Sequence, residues 1–229
     1  MLFPTDVKKP AKQNSTATPK DIQACLIWLR AAYPNSKTEL TYETPFQLLT
    51  AVILSAQCTD ARVNQTTPAL FAGYPDAPSM AKAPIPKIEK LIQSCGFYRM
   101  KAKALKGMSE KVLKDYNGEI PGDLDALTSL PGVGRKTASV ILNQAFDIPA
   151  IAVDTHVKRV SNRLGWSFHP HPDKIEFELR NLIPEKDWSE INGLLILHGR
   201  RICKARKPLC EECGIKKYCA FYQASKLKA

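Results

Sequence analysis

The stretch "SLPGVGRKTASVIL", Ser129 to Leu142, sets two glycines around a valine and follows them at once with a basic pair, Arg135 and Lys136. In such a P-G-V-G turn, Gly132 and Gly134 can take φ > 0 and turn consecutive backbone N–H groups outward. Those amides stand at the positive end of the next helix, an anion site suited to a phosphate. Lys136, in the first turn of that helix, is either one more cation for the phosphate or a reagent. A free lysine amine is neutral in only about one molecule in 2,500 at pH 7. The helix dipole, the neighbouring Arg135 and closure of a pocket all favour the neutral, nucleophilic form. Asp154, eighteen residues further on, precedes "THVKRVSNRL" and reads as the N-cap of a helix. A carboxylate held by helix-terminal N–H groups stays ionised and can oppose positive charge that develops beside it. His156 has no other ligand-type residue at metal spacing and reads as a nucleic-acid or packing contact.

The seven cysteines are unevenly distributed. Cys25, Cys58 and Cys95 stand singly in apolar helical patterns and read as small buried hydrophobes. Cys203, Cys210, Cys213 and Cys219 crowd into 17 residues, and in a chain with no export signal such a group points to metal rather than to disulfides. Zinc sites are built from paired, closely spaced knuckles, and gaps of six, two and five lack that symmetry. The six residues of the first gap, "KARKPL", carry Lys204, Arg206 and Lys207, so a loop pinned at both ends would present cations to phosphates.

The elements that must position these groups are helical. Thr18-Pro19 and Thr44-Pro45 are each an N-cap followed by a proline at the first helical position. Ile22, Cys25, Leu26 and Leu29 continue the first helix, and Phe46, Leu49, Val52, Ile53 and Ala56 the second, at the 3.6-residue period. Ile85, Ile88, Leu91, Ile92 and Cys95 predict a helix closed by Gly96. Ala102, Leu105, Met108 and Val112 predict one closed near Gly118. Short helices are expected at 123–129 and 135–146, with others near 155–164, 173–183 and 187–200. Nothing alternates with period two for long enough to make a strand, so the fold class is all-α. "FDIPAIAVD" (146–154) breaks the helical pattern and marks a crossover. Residues 1–17 have no periodic apolar face and read as a disordered basic tail.

A chain of 229 residues, 44% of them hydrophobic, can bury a substantial core, and its net charge of +11 calls for a polyanionic partner, nucleic acid foremost. Its longest apolar runs fall far short of the ~20 residues that cross a bilayer. The opening "MLFPTDVKKP" lacks a secretory apolar region, so the expected location is the cytoplasm, with no membrane partner.

"LPGVGRKTA" (130–138), "VDTHVKRV" (153–160) and the spacing Cys203-x6-Cys210-x2-Cys213-x5-Cys219 together resemble the endonuclease III family of helix-hairpin-helix DNA glycosylases with an iron-sulfur cluster. "LLTAVILSAQCTDARVN" (48–64) and "CGFYRMKA" (95–102) share the likeness, which runs from about Asp21 to Tyr222. The resemblance implies a two-lobed helix-hairpin-helix DNA glycosylase fold. A helical-barrel lobe would span 37–148, and an iron-sulfur cluster lobe 18–36 plus 149–229. It also implies a bifunctional glycosylase and abasic-site lyase that excises oxidised pyrimidines from duplex DNA, with the protein acting as a nucleoid-associated monomer. In that reading Lys136 attacks C1′ of the damaged nucleotide, expels the base and holds the sugar as a Schiff base until β-elimination cuts the 3′ side. Asp154 is its catalytic partner, Ser55 and Asp60 face the pocket, and Gln57 and Phe97 enter the duplex to fill the gap left by the extruded nucleotide. The four clustered cysteines hold a [4Fe-4S] cluster rather than zinc. Phe97 stands where many relatives have leucine, and Ala51 where adenine-specific relatives have glutamate. The alternatives are a monofunctional mismatch thymine or uracil glycosylase, and a non-enzymatic helix-hairpin-helix module that binds DNA in a salt-sensitive way without releasing a base.

Overall fold

The structure, a computed structural model, describes residues 17–36 and 38–227. The expected basic tail therefore lies, except for Ala17, outside the described residues. The described chain is built of α-helices joined by turns and short 3-10 segments, with no strand among them. In order these are α1 (Pro19–Ala32), α2 (Pro45–Ser55), α3 (Asp60–Gly73), α4 (Ala77–Lys82), α5 (Ile85–Ile92) and α6 (Tyr98–Tyr116). There follow α7 (Leu124–Thr128), α8 (Arg135–Ala145), α9 (Thr155–Leu164), α10 (Pro172–Leu182), α11 (Trp188–Arg201) and α12 (Ala220–Lys226).

Half of the twelve α-helices among the described residues begin where a side-chain oxygen takes an orphan N–H. Thr18 accepts from the Asp21 N–H while the Asp21 carboxylate accepts from the Thr18 N–H, a capping box that opens α1. Thr44, Thr59, Asp123 and Asp154 each accept a backbone N–H at the start of α2, α3, α7 and α9, and Asp76 opens α4 with a second capping box. Helix α6 stops where Asn117 takes the left-handed conformation, with the Gly118 N–H returning to Val112 O.

Three helices are additions to the sequence reading. In α3 the buried face is Val63, Thr66, Thr67 and Leu70, and Pro68 sits inside the helix. Two buried threonines and a proline blur the apolar stripe on which periodicity depends. Helices α4 and α12 have 6 and 7 residues, too short to display a period. Cys58 departs from the expectation of a buried residue on a helical face, since it is half-buried in the loop between α2 and α3. Cys25 and Cys95 are buried as expected.

Buried apolar side chains collect in two clusters. One runs from Leu40 to Leu142 and draws on α2 through α8, with Leu48, Leu49, Leu54, Ile88 and Leu105 fully enclosed. The other joins Ile22 to Tyr33 of α1 with Ile151 to Ile215, centred on Trp166, Ile175, Leu179 and Ile191. Helix α1, first in sequence, thus packs on α11 beside the C-terminal half of the chain. Each fully buried leucine or isoleucine contributes roughly 1.5–3 kcal/mol.

The crossover between the clusters is irregular backbone with no strand partner, so its polar groups need side chains. Asn143 of α8 supplies both halves of a pair: its Nδ2 donates to Ala150 O at 2.5 Å and its Oδ1 accepts from Ala150 N at 2.7 Å. Asn192 of α11 accepts from Ala152 N at 2.9 Å. Two amides from two helices thereby set the path that delivers Asp154 to its position.

Candidate functional site

Helices α7 and α8 form a hairpin around Ser129–Gly134. Leu130 O accepts from Val133 N at 3.1 Å, with Pro131 and Gly132 at the two central positions of the turn, the residue order of a type II turn. Gly132 has φ +79, and a Cβ there would stand 2.8 Å from Ala104 Cβ, so glycine is required twice over. Gly134 corrects the expectation of φ > 0 at both glycines: its φ is −91, ordinary extended backbone. As N-cap of α8 it has no side chain to offer, and nothing lies within 4 Å of where its Cβ would be. The first N–H groups of α8 therefore have no side-chain acceptor and open onto free space, an arrangement that receives an anion.

Lys136 is the second residue of α8, exposed, and its ammonium makes no hydrogen bond or ion pair among the described residues. Arg135 is differently placed. Its guanidinium is gripped by Glu176 of α10 through Nε–Oε2 at 2.6 Å and Nη2–Oε1 at 2.8 Å. Glu176 is only 6% exposed and also lies 3.5 Å from Arg180. Arg135, which as a cation beside the hairpin's phosphate site reads from sequence as a DNA contact, instead spends its bidentate face on tying the hairpin to α10.

Asp154 Oδ1 accepts from the N–H groups of His156 at 2.8 Å and Val157 at 2.7 Å, the capping role read from sequence. Its other oxygen is 3.4 Å from His156 Nδ1. His156 is half-buried and packs on Gly199 of α11, where an added Cβ would meet its ring at 3.1 Å. Asp60, first residue of α3, has its carboxyl pushed above the usual range by burial, with Arg200 and Lys136 pulling it down and Glu39 pushing it up. Lys136 and Asp60 therefore share one electrostatic neighbourhood. Ser55 is half-buried, its hydroxyl donating to Val52 O at 2.9 Å.

Gln57 and Phe97 sit on the tips of two turns with backbones in the left-handed region, φ 53 and φ 45. Such conformations are costly for residues with side chains and persist only where the surroundings impose them. Gln57 is exposed, and Phe97 is 60% exposed, which removes the core packing that a phenylalanine would otherwise seek.

The sulfur cluster lies at the far end of α9. Cys203, Cys210, Cys213 and Cys219 line one cavity of about 370 Å³, counted with its open mouth. None is in a disulfide. Burial is the main force raising the thiols of Cys210, Cys213 and Cys219, with Cys213 pushed up to about 11, and neighbouring sulfurs add to it. Four thiolates are therefore untenable there without a cationic centre to neutralise them. The groups around the sulfurs suit such a centre. Arg163 donates to Cys203 Sγ at 3.3 Å and to the carbonyls of Lys204 and Ala205 at 2.7 and 2.8 Å. Burial lowers the His198 pKa to about 4, leaving the ring neutral. Its Nδ1 is bonded to Tyr33 Oη at 3.0 Å, and its Nε2 lies 3.6 Å from Cys213 Sγ. Among the described residues no three His, Cys, Asp or Glu side chains close on a single metal ion. The four sulfurs ring the cavity and supply the four thiolates that an iron-sulfur cluster takes. Lys204, Arg206 and Lys207 are all exposed on the loop that Arg163 and Arg159 hold, the latter donating to Cys203 O at 3.1 Å.

Arg159, Arg163, Glu176, His198 and the two asparagines escaped the sequence reading because each acts on a group 40 or more residues away, or on one seven residues away across a break in the helix.

Comparison with known proteins places this geometry. The family model for the HhH-GPD superfamily of base excision DNA repair proteins matches residues 50–185, and that for the iron-sulfur binding domain of endonuclease III matches 203–219, from the first clustered cysteine to the last. The chain is 48% identical to an endonuclease III of Synechocystis over 96% of its own length and 98% of that protein. It superposes with a TM-score of 0.84 at 41% identity on endonuclease III in a non-covalent complex with DNA, covering 93% of this chain and 99% of that one. A trapped covalent endonuclease III–DNA intermediate gives the same TM-score and identity, with 91% of this chain and 99% of that one covered.

Proposed function

Because the chain belongs to the endonuclease III family of the HhH-GPD superfamily, we propose that it is a bifunctional DNA glycosylase and abasic-site lyase that removes oxidised pyrimidines from duplex DNA. The observation that carries this reading is Lys136: an exposed amine with no partner among the described residues, one position inside α8 and beside N–H groups that have no acceptor.

The hairpin N–H groups hold a phosphate, and Gly134 lets the strand approach because no side chain intervenes. The Lys136 amine attacks C1′ of the extruded nucleotide and the bond to the base breaks. The sugar opens to a Schiff base on Nζ, and loss of the C2′ proton expels the 3′ phosphate. Asp154, held by two backbone N–H groups, keeps a negative charge beside the sugar as the base departs. Ser55 and Asp60 line the pocket, and Gln57 and Phe97 occupy the space the nucleotide leaves. Lys204, Arg206 and Lys207 add phosphate contacts, and His156 supports α11 beneath the site.

The chain carries an iron-sulfur cluster. Cys203, Cys210, Cys213 and Cys219 hold it as a [4Fe-4S] group, which supplies the positive centre that makes four thiolates compatible and fixes the basic loop. The two apolar cores support a division into a helical-barrel domain, 37–148, and a cluster domain, 18–36 plus 149–229. One chain contains every residue assigned here, which supports action as a monomer. Among the described residues no helix is long and apolar enough to cross a membrane, and a duplex DNA substrate supports a nucleoid-associated location in the cytoplasm.

Borohydride reduction on duplex DNA containing an oxidised pyrimidine tests the reading. Wild-type protein is expected to become covalently attached and Lys136→Gln is not. Equal trapping of the variant overturns the nucleophile, and base release without strand scission from a duplex with mismatched thymine or uracil, in place of the oxidised pyrimidine, assigns the monofunctional mismatch activity instead.

A further inference from the structure

Lys101 is 6% exposed, the one buried lysine among the described residues, and no carboxylate pairs with it there. Its ammonium donates to Leu54 O at 2.8 Å and to Cys95 O at 2.6 Å. Leu54 is near the end of α2, three residues before Gln57, and Cys95 closes the 3-10 turn two residues before Phe97. The Lys101 backbone N–H donates in turn to Phe97 O at 3.1 Å. One side chain thus bridges the two segments that carry exposed residues with left-handed backbones, φ 53 at Gln57 and φ 45 at Phe97. An ammonium buried without a counter-ion is expensive, and here the carbonyl ends of two helical segments are what balance it. A methionine would fill the same space without that expense, so the charge serves something other than packing.

We propose that Lys101 is a strut that sets the spacing of the Gln57 and Phe97 loops, so that the two residues enter the duplex as a pair and hold the gap open while the nucleotide is extruded. This rests on the reading that Gln57 and Phe97 enter the duplex. Lys101 touches neither DNA nor the reacting atoms, and is a positioning residue.

The test compares single-turnover base release from two duplexes, one with the oxidised pyrimidine opposite a purine and one with it opposite a one-nucleotide gap in the facing strand, where no base pair resists extrusion and no abasic sugar competes for Lys136. Lys101→Met is expected to slow release from the paired duplex roughly tenfold to a hundredfold, the scale of an ångström-level misplacement, and from the gapped duplex less than about threefold. Lys101→Arg, which keeps a cation and its donors, recovers most of the paired-duplex rate. Visible absorbance of the cluster and the thermal midpoint establish that each variant is folded, and Lys101→Gln carries the same expectation if the methionine variant is not. Equal slowing on both duplexes, or none on either, overturns the strut. Gln57→Ala and Phe97→Ala separate this from the parent reading: if neither lowers the paired-to-gapped ratio, the loops do not enter the duplex. If both do and Lys101→Met does not, only the strut falls.

Discussion

Replacing Asp154 by asparagine separates two duties that one carboxylate performs. Oδ1 takes the N–H groups of His156 and Val157 at 2.8 and 2.7 Å, and the side chain is 14% exposed. Asparagine is as good an N-cap as aspartate, so its amide oxygen can keep both bonds. What is lost is the negative charge: roughly 0.3–1 kcal/mol of interaction with the dipole of α9, and part of the extra strength of two charge-assisted bonds. Together these come to about 1–2 kcal/mol, which in a chain of this size lowers the thermal midpoint by about 2–8 °C. Removing a fixed charge that faces developing positive charge in the transition state costs more, about 2.7–4 kcal/mol by analogy with a lost oxyanion-hole donor, or a factor of 10² to 10³ in rate. The assay is single-turnover base release with enzyme in excess, so that weakened binding does not enter, alongside a thermal melt of the same preparation. Asp154→Ala should show the same rate loss with about 1 kcal/mol further destabilisation from the lost cap. An asparagine variant slowed less than tenfold would mean that the charge does no chemistry. One destabilised by more than about 5 kcal/mol would mean that the rate loss is structural.

Three further outcomes follow from the geometry. Gly132→Ala must hold alanine at φ +79 with its Cβ 2.8 Å from Ala104, at a cost of roughly 2–4 kcal/mol in a melt, and a titration should show weaker DNA binding because the amides no longer line up. Glu176→Gln breaks the bidentate hold on Arg135, and because Arg135 is 39% exposed solvent recovers part of the loss, leaving about 1–3 kcal/mol. The released guanidinium should steepen the salt dependence of DNA affinity by about one phosphate contact. Alanine at Lys204, Arg206 or Lys207 should each flatten that salt dependence by about one unit without changing single-turnover release at saturation; unchanged slopes would remove the loop from the interface.

Much of this was legible in the chain because it is written locally. Thr18-Pro19, Thr44-Pro45 and Asp154 announce helix starts within four residues, and the hairpin and the cysteine spacing are contiguous strings. What escaped was written at long range. Arg135 reads as a DNA contact from its neighbours, and only the fold brings Glu176 to it across 41 positions. Lys101 looks like a solvated charge on a basic helix, and only the approach of α2 and the 3-10 turn makes it a buried donor. Helix α3 was hidden by its own composition, because buried threonines do not register as an apolar face. The four thiols are a borderline case: their spacing marks a metal site, but the donors that suit it come from α9 and α11.

The irregular crossover also governs how the activity comes into being. Lys136 stands on a helix of the first core and Asp154 at the head of a helix of the second, and Asn143 and Asn192 hold the short run of backbone between those helices. Neither core alone can hold both groups. A nascent chain, or one whose second core has come apart, therefore holds the amine without the carboxylate. On the proposed roles such a copy releases base more slowly, by about the factor of 10² to 10³ that loss of the Asp154 charge costs.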